Sequence, residues 1–260
     1  MAGWFSEGAM ITDIREAPFT AWEALSIAAG IEQRGIRFYR AALEGCTDPA
    51  ARRVYEEMVA EEHRHLAILE SAMHSARGLA PEAADVVRAY LNELDDELTP
   101  FPDTAGEEDG SHALASARRV ERDAASNYLR LARVSVDLRA KAMLVALASE
   151  ELGHNARLGE RLGGEAPPLP LLDPDAEVIA RLAAVEAELQ RAAPKLSVAA
   201  RTTGLDEPLP TDDGSVFDQL TGLRRLVDQA EEDLDTLLDS RITAMEACLH
   251  GMNGDRPARA

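Results

Sequence analysis

Cysteine is nearly absent: the chain has two, Cys46 and Cys248, far apart in sequence. They form neither a disulfide framework nor a CxxC metal knuckle. Aromatic residues are only 4 % of the chain, and β-branched ones are few beside alanine, leucine and arginine. Sheets draw on those scarce types, so the composition favours packed helices. Basic residues are outnumbered, with 27 Lys and Arg against 47 Asp and Glu for a net charge of −20. Phosphate contacts need clustered basic side chains, so this balance excludes a nucleic-acid binder and disfavours an anionic membrane surface. It suits solubility and the attraction of cations. No apolar run reaches the roughly 18 residues of a membrane span, and "MAGWFSEGAMITDIREAPF" lacks the basic start and apolar core of a secretory leader. The expectation is a soluble, cytoplasmic, mostly helical protein.

What is present is a series of helical patterns with clear punctuation. Residues 1–20 read as an irregular lead-in. A helix runs from near Thr20 through "AWEALSIAAGIEQRGIRFYRAALEG" to Gly45. "TDPAARRVYEEM" restarts one, with Asp48 as cap and Pro49 at the first helical position, where no N–H is needed. This second helix is expected to reach about Ala76. A shorter helix spans 81–98, and the Pro- and Gly-containing stretch 99–110 reads as a loop. Ser111 is placed as the cap of a third long helix to about Val134, and Asp137 starts a fourth that ends at Gly163-Gly164. Two hairpins joined by a long crossover wire a four-helix bundle. Beyond "GGEAPPLPLLDPD", residues 166–260 show two more helical patterns, 174–201 and 214–250. Apolar residues at Leu220, Leu223, Val227, Leu234, Leu237 and Met245 suggest a coiled-coil-like helical hairpin, or equally two helices extending the bundle.

The motifs repeat. "VAEEHRHLAIL" holds the pair Glu62 and His65, and "ASEELGHNARL" holds Glu151 and His154, 89 residues later. Thirty residues before each pair stands another acid, Glu32 in "GIEQRGIRFY" and Glu121 in "RVERDAASNY". Seven residues after each of these comes a tyrosine, Tyr39 and Tyr128; the capping aspartates Asp48 and Asp137 keep the same offset. One helical hairpin is thus written twice without a gap.

Residues i and i+3 share a helix face, so each Glu-x-x-His can serve neighbouring metal positions. Two such pairs plus one Glu from each remaining helix give four carboxylates and two imidazoles, the ligand set of di-iron and di-manganese bundles. Such donors suit Fe and Mn, and two divalent cations would allow four carboxylates to be buried together. Tyr39 and Tyr128, two turns from their acids, can hydrogen-bond a ligand carboxylate, although a tyrosine at such a position is ordinarily a core aromatic. Glu61, His63 and Arg64 are assigned to the surface, His112 is incidental, and Glu70–His74 and Glu246–His250 are read as ordinary i,i+4 surface pairs.

Residues 21–163 resemble the ferritin-like superfamily, and within it the rubrerythrin-like proteins. Glu32, Tyr39, Glu62 and His65 fall on the motif positions of the first hairpin, and Glu121, Tyr128, Glu151 and His154 on those of the second. The resemblance implies an all-α fold, a ferritin-like four-helix bundle over 21–165. It also implies a centre of two Fe ions (Mn being possible) with Glu62 and Glu151 bridging, His65 and His154 as nitrogen ligands, and Glu32 and Glu121 terminal. Reduction of peroxide or O₂ would follow, reset by an external electron donor, a reductase or a rubredoxin-like protein, in a homo-oligomer. The chain departs from the family in two ways. It has no rubredoxin domain with paired CxxC knuckles, and where rubrerythrins tend to carry an extra glutamate it has Ala124, matched in the first hairpin by Gly35. Iron storage or transfer, an oxygenase and a scaffold whose C-terminal hairpin drives assembly are the competing readings.

Overall fold

The computed structural model describes residues 5–6, 9–10, 18–75, 83–97, 110–163 and 214–253. Six helices dominate: α1 (Ala21–Gly45), α2 (Pro49–Ser75), α3 (Ala83–Glu97), α4 (Gly110–Val134), α5 (Leu138–Arg161) and α6 (Gly214–Asn253). The fold is an all-α bundle. The lead-in carries one short feature, strand β1 (Phe5–Ser6) paired antiparallel with β2 (Ala9–Met10). Among the described residues no helix is long and apolar enough to cross a membrane.

Local chemistry explains where the helices start. At α1 the Thr20 N–H donates to Glu23 Oε2 at 2.9 Å and the Glu23 N–H donates back to Thr20 Oγ1 at 3.3 Å, a reciprocal cap for two orphan donors. Asp48 Oδ1 accepts from the N–H groups of Ala50 and Ala51 at 2.7 and 2.9 Å ahead of α2. Asp137 Oδ1 does the same for Ala140 at 2.8 Å ahead of α5. Arg52 reaches back to close α1, donating to the carbonyls of Leu43 and Cys46. Ser111 differs from expectation. Because α4 already begins at Gly110, Ser111 lies inside the first turn instead of before it.

The three-residue turns 46–48 and 135–137 leave no option but antiparallel neighbours, and α1 pairs with α2 as α4 pairs with α5. The chain ahead of α1 is tied to the second turn: the Phe19 N–H donates to the Val134 carbonyl at 3.0 Å, and the Val136 N–H to the Phe19 carbonyl at 3.1 Å. The crossover helix α3 lies so close on α1 that a Cβ on Gly30 would stand 2.6 Å from Leu91 Cδ1. The four tyrosines, Tyr39, Tyr55, Tyr90 and Tyr128, are all fully buried. One apolar cluster gathers Phe38, Tyr39, Tyr55, Met58, Val120 and Leu158 at the end of the bundle near the 46–48 turn.

Residues Met1–Leu171 together with Leu238–Ala260 form one compact unit and Leu172–Leu237 a second. The helix expected over 174–201 lies outside the described residues, as do residues 99–109 of the loop expected over 99–110, whose last residue, Gly110, opens α4. Within the first unit, α6 buries Leu238, Ile242, Met245 and Leu249, one face at spacings of four, three and four. Leu234 and Leu237 of the expected stripe are only half-buried. Ion pairs flank that face: Lys141 with Asp239 at 2.7 Å and Arg133 with Glu246 at 2.6 Å. The Glu246 carboxylate is therefore engaged by Arg133, and His250 bonds the Glu246 backbone carbonyl at 2.7 Å, not its side chain. The expected Glu246–His250 surface pair gives way because a guanidinium fork outcompetes an i,i+4 imidazole for a carboxylate.

Candidate metal centre

Four helices each bring one acid to the middle of the bundle: Glu32 from α1, Glu62 from α2, Glu121 from α4 and Glu151 from α5. His65 and His154 follow one turn after the acids of α2 and α5. All six are buried, Glu32 and His65 completely. The two imidazoles stack with centroids 5.8 Å apart and planes 9° from parallel.

Glu151 stands between the rings. Its Oε1 lies 3.1 Å from His65 Nδ1 and its Oε2 3.2 Å from His154 Nδ1. Glu32 approaches His65 Nδ1 at 3.6 Å, and Glu121 accepts from His154 Nδ1 at 3.0 Å. Among the described residues, ligand-type atoms within 4.8 Å of one another form three groups, two of them wholly buried: Glu32–Glu62–His65–Glu151 and Glu121–Glu151–His154. Either could hold a metal ion, and Glu151 belongs to both. Glu62, its counterpart 89 residues earlier, belongs to one. Its carboxylate leans on Gly35, where an added Cβ would come within 2.7 Å of Glu62 Oε1.

The tyrosines cross over between hairpins. Tyr39 on α1 donates its hydroxyl to Glu121 on α4, and Tyr128 on α4 donates to Glu32 on α1. Each phenol thus orients the acid of the opposite hairpin, a pairing that spacing along one helix does not reveal. Burial raises both phenols well above their usual range, with the facing glutamates adding to the shift, so both stay protonated as donors.

Protons balance the charge of the metal-free centre. Burial alone would lower His65, but its bonds to Glu151 and Glu32 overcome that and push it up to about 11. His154 rises to about 9 in the same way, through Glu121 and Glu151. Burial and then the Glu151 charge raise Glu121 to about 8, and burial and Glu32 raise Glu62 well above the usual carboxylate range. Glu151 goes the other way, because bonds from Glu121, His154 and His65 outweigh its burial and hold it low.

At the centre, Glu32 Oε2 is buried with no hydrogen-bond partner among the described residues, and His65 Nδ1 and Glu151 Oε1 are buried facing each other at 3.1 Å. An unpartnered buried carboxylate oxygen costs about 1–3 kcal/mol. A divalent cation would satisfy it and take the place of the proton between Glu151 and His65, so the donor set fits metal.

The outer side of the rings is bonded as well. Arg64, on the surface as expected, donates to Glu61 Oε2 at 2.7 Å and to Glu150 Oε2, bridging the two hairpins. Glu150 Oε2 also lies 3.2 Å from His65 Nε2. Glu61 falls within 4.8 Å of both His65 and His154. With Nδ1 turned toward the carboxylates, a metal held there by His65 would leave the ring proton on Nε2, facing Glu150, the carboxylate–imidazole relay that fixes ring orientation at metal sites. The signal was present in sequence: Glu61 and Glu150 are also 89 apart, so the repeated unit is Glu-Glu-x-x-His. His63 is exposed as expected, close to Arg40.

Searches of curated proteins and of solved structures returned no match. A family model described as the ferritin-like domain matches residues 20–164, more than half of the chain. Its limits coincide with the capped start of α1 and the end of α5, so the part that matches is the duplicated bundle holding these six side chains, and the chain belongs to the ferritin-like family.

Proposed function

We propose that the chain is a rubrerythrin-like redox protein that reduces hydrogen peroxide or dioxygen at two iron ions held by Glu32, Glu62, His65, Glu121, Glu151 and His154. The observation that carries this reading is the burial of four carboxylates and two imidazoles together at the centre of the bundle, with ligand-type atoms grouped within 4.8 Å. Two ferrous ions there would supply the two electrons that, with two protons, take H₂O₂ to two waters, and an external reductase or rubredoxin-like donor would return them. The chain's own groups set the conditions. Glu151 lies between the two imidazole Nδ1 atoms and suits a shared ligand. Tyr39 and Tyr128 hold Glu121 and Glu32 in place while keeping a proton on each phenol oxygen. Glu150 accepts from His65 Nε2 and keeps Nδ1 available to a metal.

The cavity that Glu62 lines measures about 20 Å³, whereas pockets for organic ligands run to roughly 300–1,000 Å³. That favours a small oxidant over the organic substrate of an oxygenase. Anaerobic titration should show two Fe(II) per chain, and peroxide should then oxidise them stoichiometrically. Glu62→Ala should abolish that oxidation; persistence in this variant would overturn the assignment.

The net charge of −20 supports a second reading, Fe(II) uptake for storage or transfer, because an acidic surface concentrates cations. More than two irons retained per chain after aerobic loading would favour it.

A further inference from the structure

Helices α1 and α4 carry Glu32 and Glu121, and one turn after each acid stands a small residue, Gly35 and Ala124, again 89 apart. Where the two helices face each other these positions leave a cavity of about 20 Å³ walled by Ile31, Gly35, Val120 and Ala124. Arg34 and Asp123 also line it, and Glu62 forms its inner end. Any larger side chain at position 35 would fill it, since even a Cβ would press on the Glu62 carboxylate at 2.7–2.8 Å.

Three observations agree on what this gap is for. Glu62 is 6 % exposed, while Glu32, Glu121 and Glu151 are at 0–1 %, so the most exposed of the four acids is the one that lines the cavity. The opposite side of the centre is closed, because Arg64, Glu61 and Glu150 lie bonded across the outer edge of the stacked imidazoles. The volume is that of one small molecule, as a water needs roughly 10–15 Å³. The charges along the gap also cancel: Arg34 is paired with Asp95 of α3 at 3.1 Å, and Asp123 lies 3.7 Å from Arg122. Such a passage has no field to draw an ion and suits a neutral diatomic.

We infer that the gap at Gly35 and Ala124 is the port through which a neutral molecule of two heavy atoms, dioxygen or hydrogen peroxide, reaches the Glu62 side of the centre. This rests on the two-iron reading above. It locates the oxidant on the α1/α4 side, away from the histidines, and makes the residues at positions 124 and 120 determinants of access.

The test uses nitric oxide as a neutral diatomic probe, mixed anaerobically with the Fe(II)-loaded full chain and followed by its visible absorption in stopped flow. Ala124→Leu should plug the port. The variant should still take up two Fe(II) per chain while nitric oxide binds at least tenfold more slowly. Val120→Ala should widen the port and raise the rate threefold or more. Full metal loading with an unchanged rate in Ala124→Leu overturns the port. Should that variant fail to fold or load, Val120→Ala decides: a faster rate supports the port and an unchanged one overturns it. A parent protein that takes up no Fe(II) defeats the redox reading and the port together, whereas normal loading with rates indifferent to both substitutions defeats the port alone.

Discussion

The two halves of the centre carry the same acids, histidines and tyrosines, yet they are not equivalent. In the second hairpin Glu151 stands between the two rings, while its counterpart Glu62 leans out onto Gly35 and joins only one ligand group. The first hairpin supplies Arg64, which spans Glu61 and Glu150; the corresponding position in the second hairpin is Gly153, with no side chain to offer. His65 is held up at about 11 and His154 at about 9, so the first ring sits in the stronger field. Duplication explains the donor set. The departures from duplication leave the acids of the two hairpins in different surroundings, so two metals bound there are predicted to differ in affinity.

That comparison can be broken most severely at Glu151. Glu151→Ala removes a carboxylate common to both groups, so metal uptake should fall from two ions per chain to fewer than one in equilibrium dialysis. Glu62→Ala should cost one ion and leave the Glu121–Glu151–His154 position loaded. Equal losses in the two variants would show that the halves are equivalent after all.

The effect of pH comes next. In the metal-free protein His65 and His154 bind protons more tightly than their ordinary value of 6.5. Their contribution to stability is therefore full below about pH 6.5 and is lost as pH rises toward about 9 for His154 and about 11 for His65. Glu121, raised from 4.5 to about 8, acts in the same direction over its own window. The melting temperature measured with a chelator should fall between pH 6 and pH 9, by at least about 5 °C. Because metal displaces these protons, the rise in melting temperature on adding metal should grow with pH over the same interval.

Tyr39→Phe leaves Glu121 Oε1 without its phenol donor and should cost about 1–3 kcal/mol in chemical denaturation. Tyr128→Phe should cost a similar amount through Glu32, so here the halves are expected to agree. The smallest effect falls on the outer carboxylates. Glu150→Gln should weaken metal binding at the His65 position by roughly tenfold, the lower end of what such outer partners contribute. The other position should be unaffected, which a two-site fit of the titration would resolve.

Much of this was legible in the chain before any coordinates. Helix starts at Thr20, Asp48 and Asp137 follow from short-range capping chemistry, which depends on three or four adjacent residues. The six acids and histidines were visible because helical periodicity and a fixed offset of 89 are both properties of a one-dimensional string. Glu61 and Glu150 share that offset too, but a half-exposed carboxylate such as Glu61 reads as surface until the imidazole it faces is known. The exchange of tyrosines was hidden for a similar reason: Tyr39 and Glu32 share a helix face, but which acid a phenol reaches depends on how α1 is set against α4.

The sequence by itself therefore determined the helices, their duplication and the inventory of ligands, because these rest on local bonding and on repetition. Only the tertiary structure decided that Glu151 faces both imidazoles while Glu62 leans on Gly35, that each tyrosine serves the other hairpin, and that Gly35 and Ala124 leave room for one small molecule. Those features arise from distances between side chains of different helices, which packing sets to within an ångström and no linear spacing encodes.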